Sequence, residues 1–484
     1  MRSRITALLA SVLAVAAVAA PAGAQDFSRF VALGDSLAAG FVNGGLAIHP
    51  QERSVPALVA RQAGVADFQQ PLISNPGIPP LLAIQGIAGG TPIIVPRSSQ
   101  PGAPLNLNLP RPYNNLAVPG FDAQDVLSTV TGNALIDIIL RGQGPALAQA
   151  MALDPTFALV WIGNNDVLGA ATSGVVIDGV TLTPVADFSG ALSDVIQTLR
   201  RRAPPGQSPA LIVLATLPDV TVIPFVTTIP PVVVDPATQQ PVLGPGGQPI
   251  PLIGPQGPLA PNDRVLLTAT PLLAQGIGLP AAVGGTNQPL PDNVVLSAAE
   301  VAAIRARVAA LNEVIRNAVG GSSEMALADI SGLLNRAATT GIPVGGNIVL
   351  TTAFLTGGIF SYDGVHPTPL GNALAANEFI RVINDRFGAD LPPVDLIPFL
   401  FGPDGSAGGT VELPGLGEGT PVFTTAAYEA LRLSLGTPKA EELLKIKQRR
   451  ERRAPAPPDG GLSPSRPGAP SSPALGGERA GGRG

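Results

Sequence analysis

Short apolar runs alternate with longer segments of helical period along the middle of the chain. Phe30-Val31-Ala32-Leu33 stops at Gly34, Leu116-Ala117-Val118 at Pro119-Gly120, and Phe157–Ile162 at Gly163. Leu211–Ala215 runs out towards Pro218, and Met325–Ala328 stops at Asp329. Continuous apolar runs of this length are too short for helices and suit strands buried on both faces of a parallel sheet. Between them the pattern predicts helices over 122–151 (in more than one segment), 186–202, 297–319 and 368–387. Ser297 followed by Glu300 is a capping-box signature, and Arg200-Arg201-Arg202 suit the negative end of a helix dipole. The alternation predicts an α/β sandwich around a parallel central sheet.

Two intervals break that rhythm. Residues 69–112 and 218–293 are rich in Pro and Gly with scattered apolar residues, and no repeat of fixed period is present. Loops of this length in a compact domain are usually functional or disordered. They are expected to wall the site, giving it an apolar rim and a preference for longer acyl chains. The competing expectation is that they cover the sheet edge away from it.

Composition separates the two ends from the middle. Arg2 and Arg4, the apolar run Ile5–Ala20 and the small-x-small Ala22-Gly23-Ala24 predict a cleavable signal peptide over residues 1–24. The apolar run is shorter than the roughly 20 residues that cross a bilayer. A periplasmic or secreted protein is therefore expected. Residues 439–453 hold seven basic and three acidic side chains. This run reads as a solvated helix, or as a contact for an anionic membrane or polymer. Residues 454–484, mostly Pro, Gly, Ser, Ala and Arg, read as disordered. The net charge of −5 gives no global attraction to nucleic acid. With no Cys and only two His, thiol catalysis, disulfides and a multi-His metal site are not expected, nor is a cofactor.

The candidate chemistry falls where strands end, which is where open α/β sheets bind ligands. Gly34-Asp35-Ser36-Leu37 follows the first strand, Asn115–Gly120 ends the second, Gly163-Asn164-Asn165-Asp166 follows the third, and Asp363-Gly364-Val365-His366 precedes the last helix. A serine hydroxyl needs a neighbouring base to act as a nucleophile. His366 is that base for Ser36, and Asp363, three residues upstream, would hold its tautomer. The Ser36 amide, the Gly120 amide and the Asn165 side chain are the donors for an oxyanion. Asp35, Asn164 and Asp166 read as turn and cap residues, His49 as a loop histidine, and Trp161 as packing.

This set resembles the SGNH, or GDSL-type, hydrolases, whose four blocks supply Ser, Gly, Asn and His in this chain order. VALGDSLAAG, NLAVPG, WIGNND and SYDGVHPT carry the likeness. The resemblance implies a three-layer α/β/α sandwich with a flavodoxin-like five-stranded parallel sheet in order 2-1-3-4-5. It also implies metal-free hydrolysis of carboxylic esters or thioesters, with a small-molecule or lipid ester as the expected substrate. The implied organisation is a hydrolase domain over 25–400 with insertions 69–112 and 218–293, an extension over 401–438 and a tail over 439–484. Two other readings stand beside it: a non-catalytic binding protein on the same fold, and a carbohydrate acetyl esterase.

Overall fold

The computed structural model describes residues 25–88, 91–201, 208–236, 238–345, 348–401 and 421–453. The expected signal peptide (1–24) and Pro/Gly/Ser-rich tail (454–484) lie outside the described residues. The core is a parallel sheet of β1 (Phe30–Gly34), β2 (Phe157–Trp161), β3 (Leu211–Ala215) and β4 (Met325–Ala328), in that spatial order. Every residue of β1 and β2 is buried, as their continuous apolar runs require.

The expected fifth strand is present in reduced form. The Ala32 amide donates to Asn114 O (2.8 Å), the Leu116 amide to Ala32 O (2.9 Å) and the Val118 amide to Gly34 O (3.0 Å). This segment therefore runs beside the free edge of β1, in the flavodoxin-like order, yet it forms only one ladder bridge, Ala32 with Asn115. Side chains replace the missing ladder. Asn114 Nδ2 donates to Phe30 O (2.8 Å), and Asn115 Nδ2 to Ala38 O (3.0 Å).

Nine helices matter for the site and its supports. These are α1 (Ser36–Ala39), α2 (Val55–Gln62), α3 (Asn165–Ser173), α4 (Val185–Arg200) and α5 (Ala298–Val319). The remainder are α6 (Ile330–Thr339), α7 (Pro369–Phe387), α8 (Thr425–Ser434) and α9 (Ala440–Arg453). Helices α2 and α7 pack together on one side of the sheet, α4 and α5 on the other. The Ser297 capping box at α5 is made, with both reciprocal bonds present. The 122–151 interval resolves into three short helices.

The insertions are more structured than their composition implies. In the first, Leu82–Ala88 and Thr91–Pro96 form an antiparallel hairpin. The second has its own small core, around Val265 and Leu290.

The segment 421–435 is part of the domain. Val422 and Phe423 add a parallel strand to the hairpin, opposite Ile93 and Ile94. Phe423, Ala427, Leu431 and Leu435 are buried in the main core. Burying the three larger of these side chains stabilises by roughly 5–9 kcal/mol in total, so this arm is firmly held.

The basic run also departs from the reading of a solvated helix. Leu443 is fully buried against Val175 and Ile177. Lys447 Nζ bridges Asp292 (3.1 Å) and Glu300 (3.0 Å), and Arg450 donates to Asp178 O. The 3.6-residue period explains this docking, because 443, 447 and 450 share one face of α9. Among the described residues no helix is long and apolar enough to cross a membrane.

Candidate active site

Ser36 stands where β1 turns into α1. Asp35 is the N-cap, and its carboxylate accepts from the Leu37 amide (3.0 Å). That leaves Ser36 as the first helical residue, with its amide among the orphan donors of a helix start. The turn is tight because β1 and β2 run side by side here. A Cβ on Gly34 would lie 2.5 Å from the Trp161 carbonyl oxygen.

The residues expected to act together meet, although they lie 330 positions apart in the chain. His366 Nε2 is 2.9 Å from Ser36 Oγ, and His366 Nδ1 is 3.0 Å from Asp363 Oδ2. All three are buried. The Asp363 carboxylate also accepts from the amides of Gly44 (2.8 Å), Val365 (2.9 Å) and His366 (2.8 Å). Burial opposes its charge, but the electrostatic attraction of the His366 ring and these hydrogen bonds outweigh burial, so its pKa is lowered. An ionised carboxylate only accepts, so Nδ1 carries a proton towards Asp363 and Nε2 is left to accept from Ser36. The Phe41 ring packs 4.6 Å from the imidazole.

Gly120 and Asn165 lie close together. Asn165 Nδ2 donates to Phe121 O (2.9 Å), which uses one of its two hydrogens. Among the described residues, no group accepts the Ser36 or the Gly120 amide. Gly120 has φ +88°, and a Cβ there would meet Leu435 O at 2.7 Å, so only glycine fits.

The three residues read as turn and cap groups reach further than their own turns. Asn164 Nδ2 donates across to Asp35 Oδ2 (2.8 Å). Asp166, in the first turn of α3, accepts from the Ala123 amide (3.1 Å) and so ties down the loop after Gly120. Burial pushes Asp35 up to about 6, against the hydrogen bonds of Asn164 and Leu37. Burial, reinforced by Asp122, pushes Asp166 up to about 7. His49 takes no part in the site. It is exposed, beside Glu52.

An apolar cavity opens from Ser36 and His366. Its walls include Leu168, Val220, Ile223 and Val365, with Ile330, Leu333, Leu334 and Ala337 of α6. Trp161, besides packing on Phe379, also lines it. The rim expectation therefore needs correction. The second insertion contributes Pro218, Val220 and Ile223, whereas no described residue of 69–112 lines the cavity. The first insertion acts at one remove, through the hairpin that carries the arm and through Leu82, which packs at Gly44. Sequence reasoning missed α6. Its signal was present: positions 330, 333, 334 and 337 follow the helical i, i+3, i+4, i+7 pattern behind Asp329, which caps the helix through the Gly332 amide.

The GDSL-like Lipase/Acylhydrolase family matches residues 30–379. Two solved structures are similar. One is the Clostridium thermocellum family 3 carbohydrate esterase, at 11% identity, covering 74% of this chain and 94% of that chain, with a TM-score of 0.30. The other is an extracellular lipase from Streptomyces rimosus, at 16% identity, covering 74% and 98%, with a TM-score of 0.31. No curated protein matches the chain. The chain belongs to the GDSL-like lipase/acylhydrolase family, and all four sequence blocks fall inside the match. It is a carboxylic ester hydrolase.

Proposed function

We propose that this hydrolase works through an acyl-enzyme on Ser36, with His366 as base and Asp363 as its orienting carboxylate. The chain of contacts Asp363–His366–Ser36, at 3.0 and 2.9 Å, carries the reading. His366 takes the hydroxyl proton as Ser36 Oγ attacks the ester carbonyl, then delivers it to the departing alkoxide. Asp363 stabilises the imidazolium that forms in between. The oxyanion is held by the Ser36 and Gly120 amides and by the second Nδ2 hydrogen of Asn165. Water, activated by the same histidine, then releases the acid. No metal or cofactor enters these steps. Among the described residues no cluster of three His, Cys, Asp or Glu could hold a metal ion.

The apolar cavity beside Ser36 favours acyl esters with a hydrocarbon chain over acetylated carbohydrate. Small-molecule or lipid esters are the substrates on this reading. Export through the signal peptide of residues 1–24 places the reaction in the periplasm or outside the cell. Exposed Lys445, Arg449 and Arg452 on α9 provide a contact for anionic membrane or polymer.

The test is an ester panel varying acyl length and alcohol, run on mature protein and on Ser36→Ala, with labelling by an active-serine phosphonate. Ser36→Ala should keep the melting temperature and lose turnover and labelling. Turnover that survives in well-purified Ser36→Ala would overturn the mechanism. A folded wild-type protein that neither labels nor turns over any ester would point to a binding role.

A further inference from the structure

The C-terminal arm ends on the oxyanion side of the site, beyond the last residue of the family match at 379. The Leu435 carbonyl lies so close to Gly120 that a Cβ there would meet its oxygen at 2.7 Å and its carbon at 2.8 Å. The same loop is also held by Asn165, through Phe121 O. The Gly120 loop is thus held both by the arm's backbone and by the side chain of another proposed oxyanion donor.

The arm is itself pinned at several points. The Phe423 amide donates to Thr270 Oγ1 (2.9 Å), and Thr424 Oγ1 donates to Ile94 O (2.9 Å). The Phe423 ring meets Phe225 edge-on at 6.0 Å, and the Phe225 amide donates to Gly364 O (2.9 Å), inside the Asp363–His366 loop. Just past Leu435 the chain reverses. Buried Arg432 holds that turn, with Nη1 donating to Thr437 O (2.9 Å) while Nε and Nη2 bind Glu429. A lid would have to withdraw Phe423, Leu431 and Leu435 from the main core together, so the arm is built to stay.

We infer that Leu435 and Arg432 are positioning residues for catalysis: through the arm they fix the Gly120 loop so that its amide meets the oxyanion. The inference rests on the proposed role of Gly120. It makes the arm, which no sequence block announces, part of the machinery of the reaction. Oxyanion donors act only in the transition state, so misplacing one lowers kcat and leaves substrate binding nearly unchanged.

The experiment measures p-nitrophenyl butyrate kinetics for full-length Leu435→Ala and Arg432→Gln, with active sites counted by phosphonate titration. The expected result is a fall in kcat per titrated site of about tenfold or more, with KM within about twofold. Leu435→Met, which keeps the side-chain volume, should retain kcat. Leu443→Ala, which loosens α9 where it packs on Val175 and Ile177 rather than at Gly120, is the control for a merely structural role. It should lower the melting temperature and spare kcat per titrated site. Unchanged kcat per site in both arm variants, or an equal loss in Leu443→Ala, would overturn the inference. Ser36→Ala separates the two failures. If it is inactive while the arm variants keep kcat, only the positioning role falls; if it remains active, the mechanism beneath it falls.

Discussion

Asp166 gives a stability prediction whose sign runs against the usual carboxylate. The group is buried, with Oδ2 accepting from the Ala123 amide. Burial first, and Asp122 next, raise its pKa from 3.8 to about 7. Between those two values the native state holds a proton that the unfolded chain has released. Stability therefore falls as pH rises through that window, and levels off above the folded value. The full gap corresponds to roughly 4 kcal/mol. Between pH 5 and 8 about two pH units lie inside the window, worth roughly 3 kcal/mol. Asp166→Asn keeps an oxygen for the Ala123 amide and cannot ionise, so this part of the slope should vanish. The assay is urea unfolding of both proteins at pH 5 and pH 8. The stability of Asp166→Asn relative to wild type should improve by about 2–3 kcal/mol from the lower to the higher pH. Comparing the two pH values cancels any constant effect of the amide. A stability difference that is the same at both would show that Asp166 does not titrate in this range.

Asn165→Ala should lower kcat roughly 100- to 1,000-fold with little change in KM, since one oxyanion donor is lost; steady-state kinetics showing a change in KM alone would count against it. Across p-nitrophenyl esters, kcat/KM should rise from acetyl to butyryl and beyond, by up to ~0.8 kcal/mol per buried methylene. Ala337→Trp, which fills the cavity from α6, should shift the preference back to acetyl, and a preference that stays put would place the acyl chain elsewhere. Truncation after Thr437 removes buried Leu443 and the Lys447 ion pairs, so the melting temperature should drop by several degrees, as losing about 2–4 kcal/mol implies. A truncated protein that melts with the full-length chain would return α9 to the status of a solvated helix.

Much of the fold was legible in the chain because a strand buried on both faces has no polar positions. The apolar runs at 30, 157, 211 and 325 became β1 to β4 within a residue or so. The edge segment at 114–118 was recognisable yet only half-formed, since Asn114 and Asn115 bond the neighbouring backbone with their side chains. The candidate site was legible for a related reason: turns at strand ends need particular residues, and chemistry placed there leaves Ser36, Gly120, Asn165 and Asp363-x-x-His366 in fixed order. Local sequence could not show what these motifs would face. Leu435 reaches Gly120 across more than 300 positions, and α6 forms the cavity wall because tertiary packing turns its apolar stripe towards Ser36. The docking of α9 likewise depends on Val175, Ile177, Asp292 and Glu300 converging from separate elements. Periodicity and turn chemistry are properties of neighbours in the chain, and the sequence alone determines them. Which distant surfaces close on each other depends on the free energy of packing the whole molecule, and only the tertiary structure decides that.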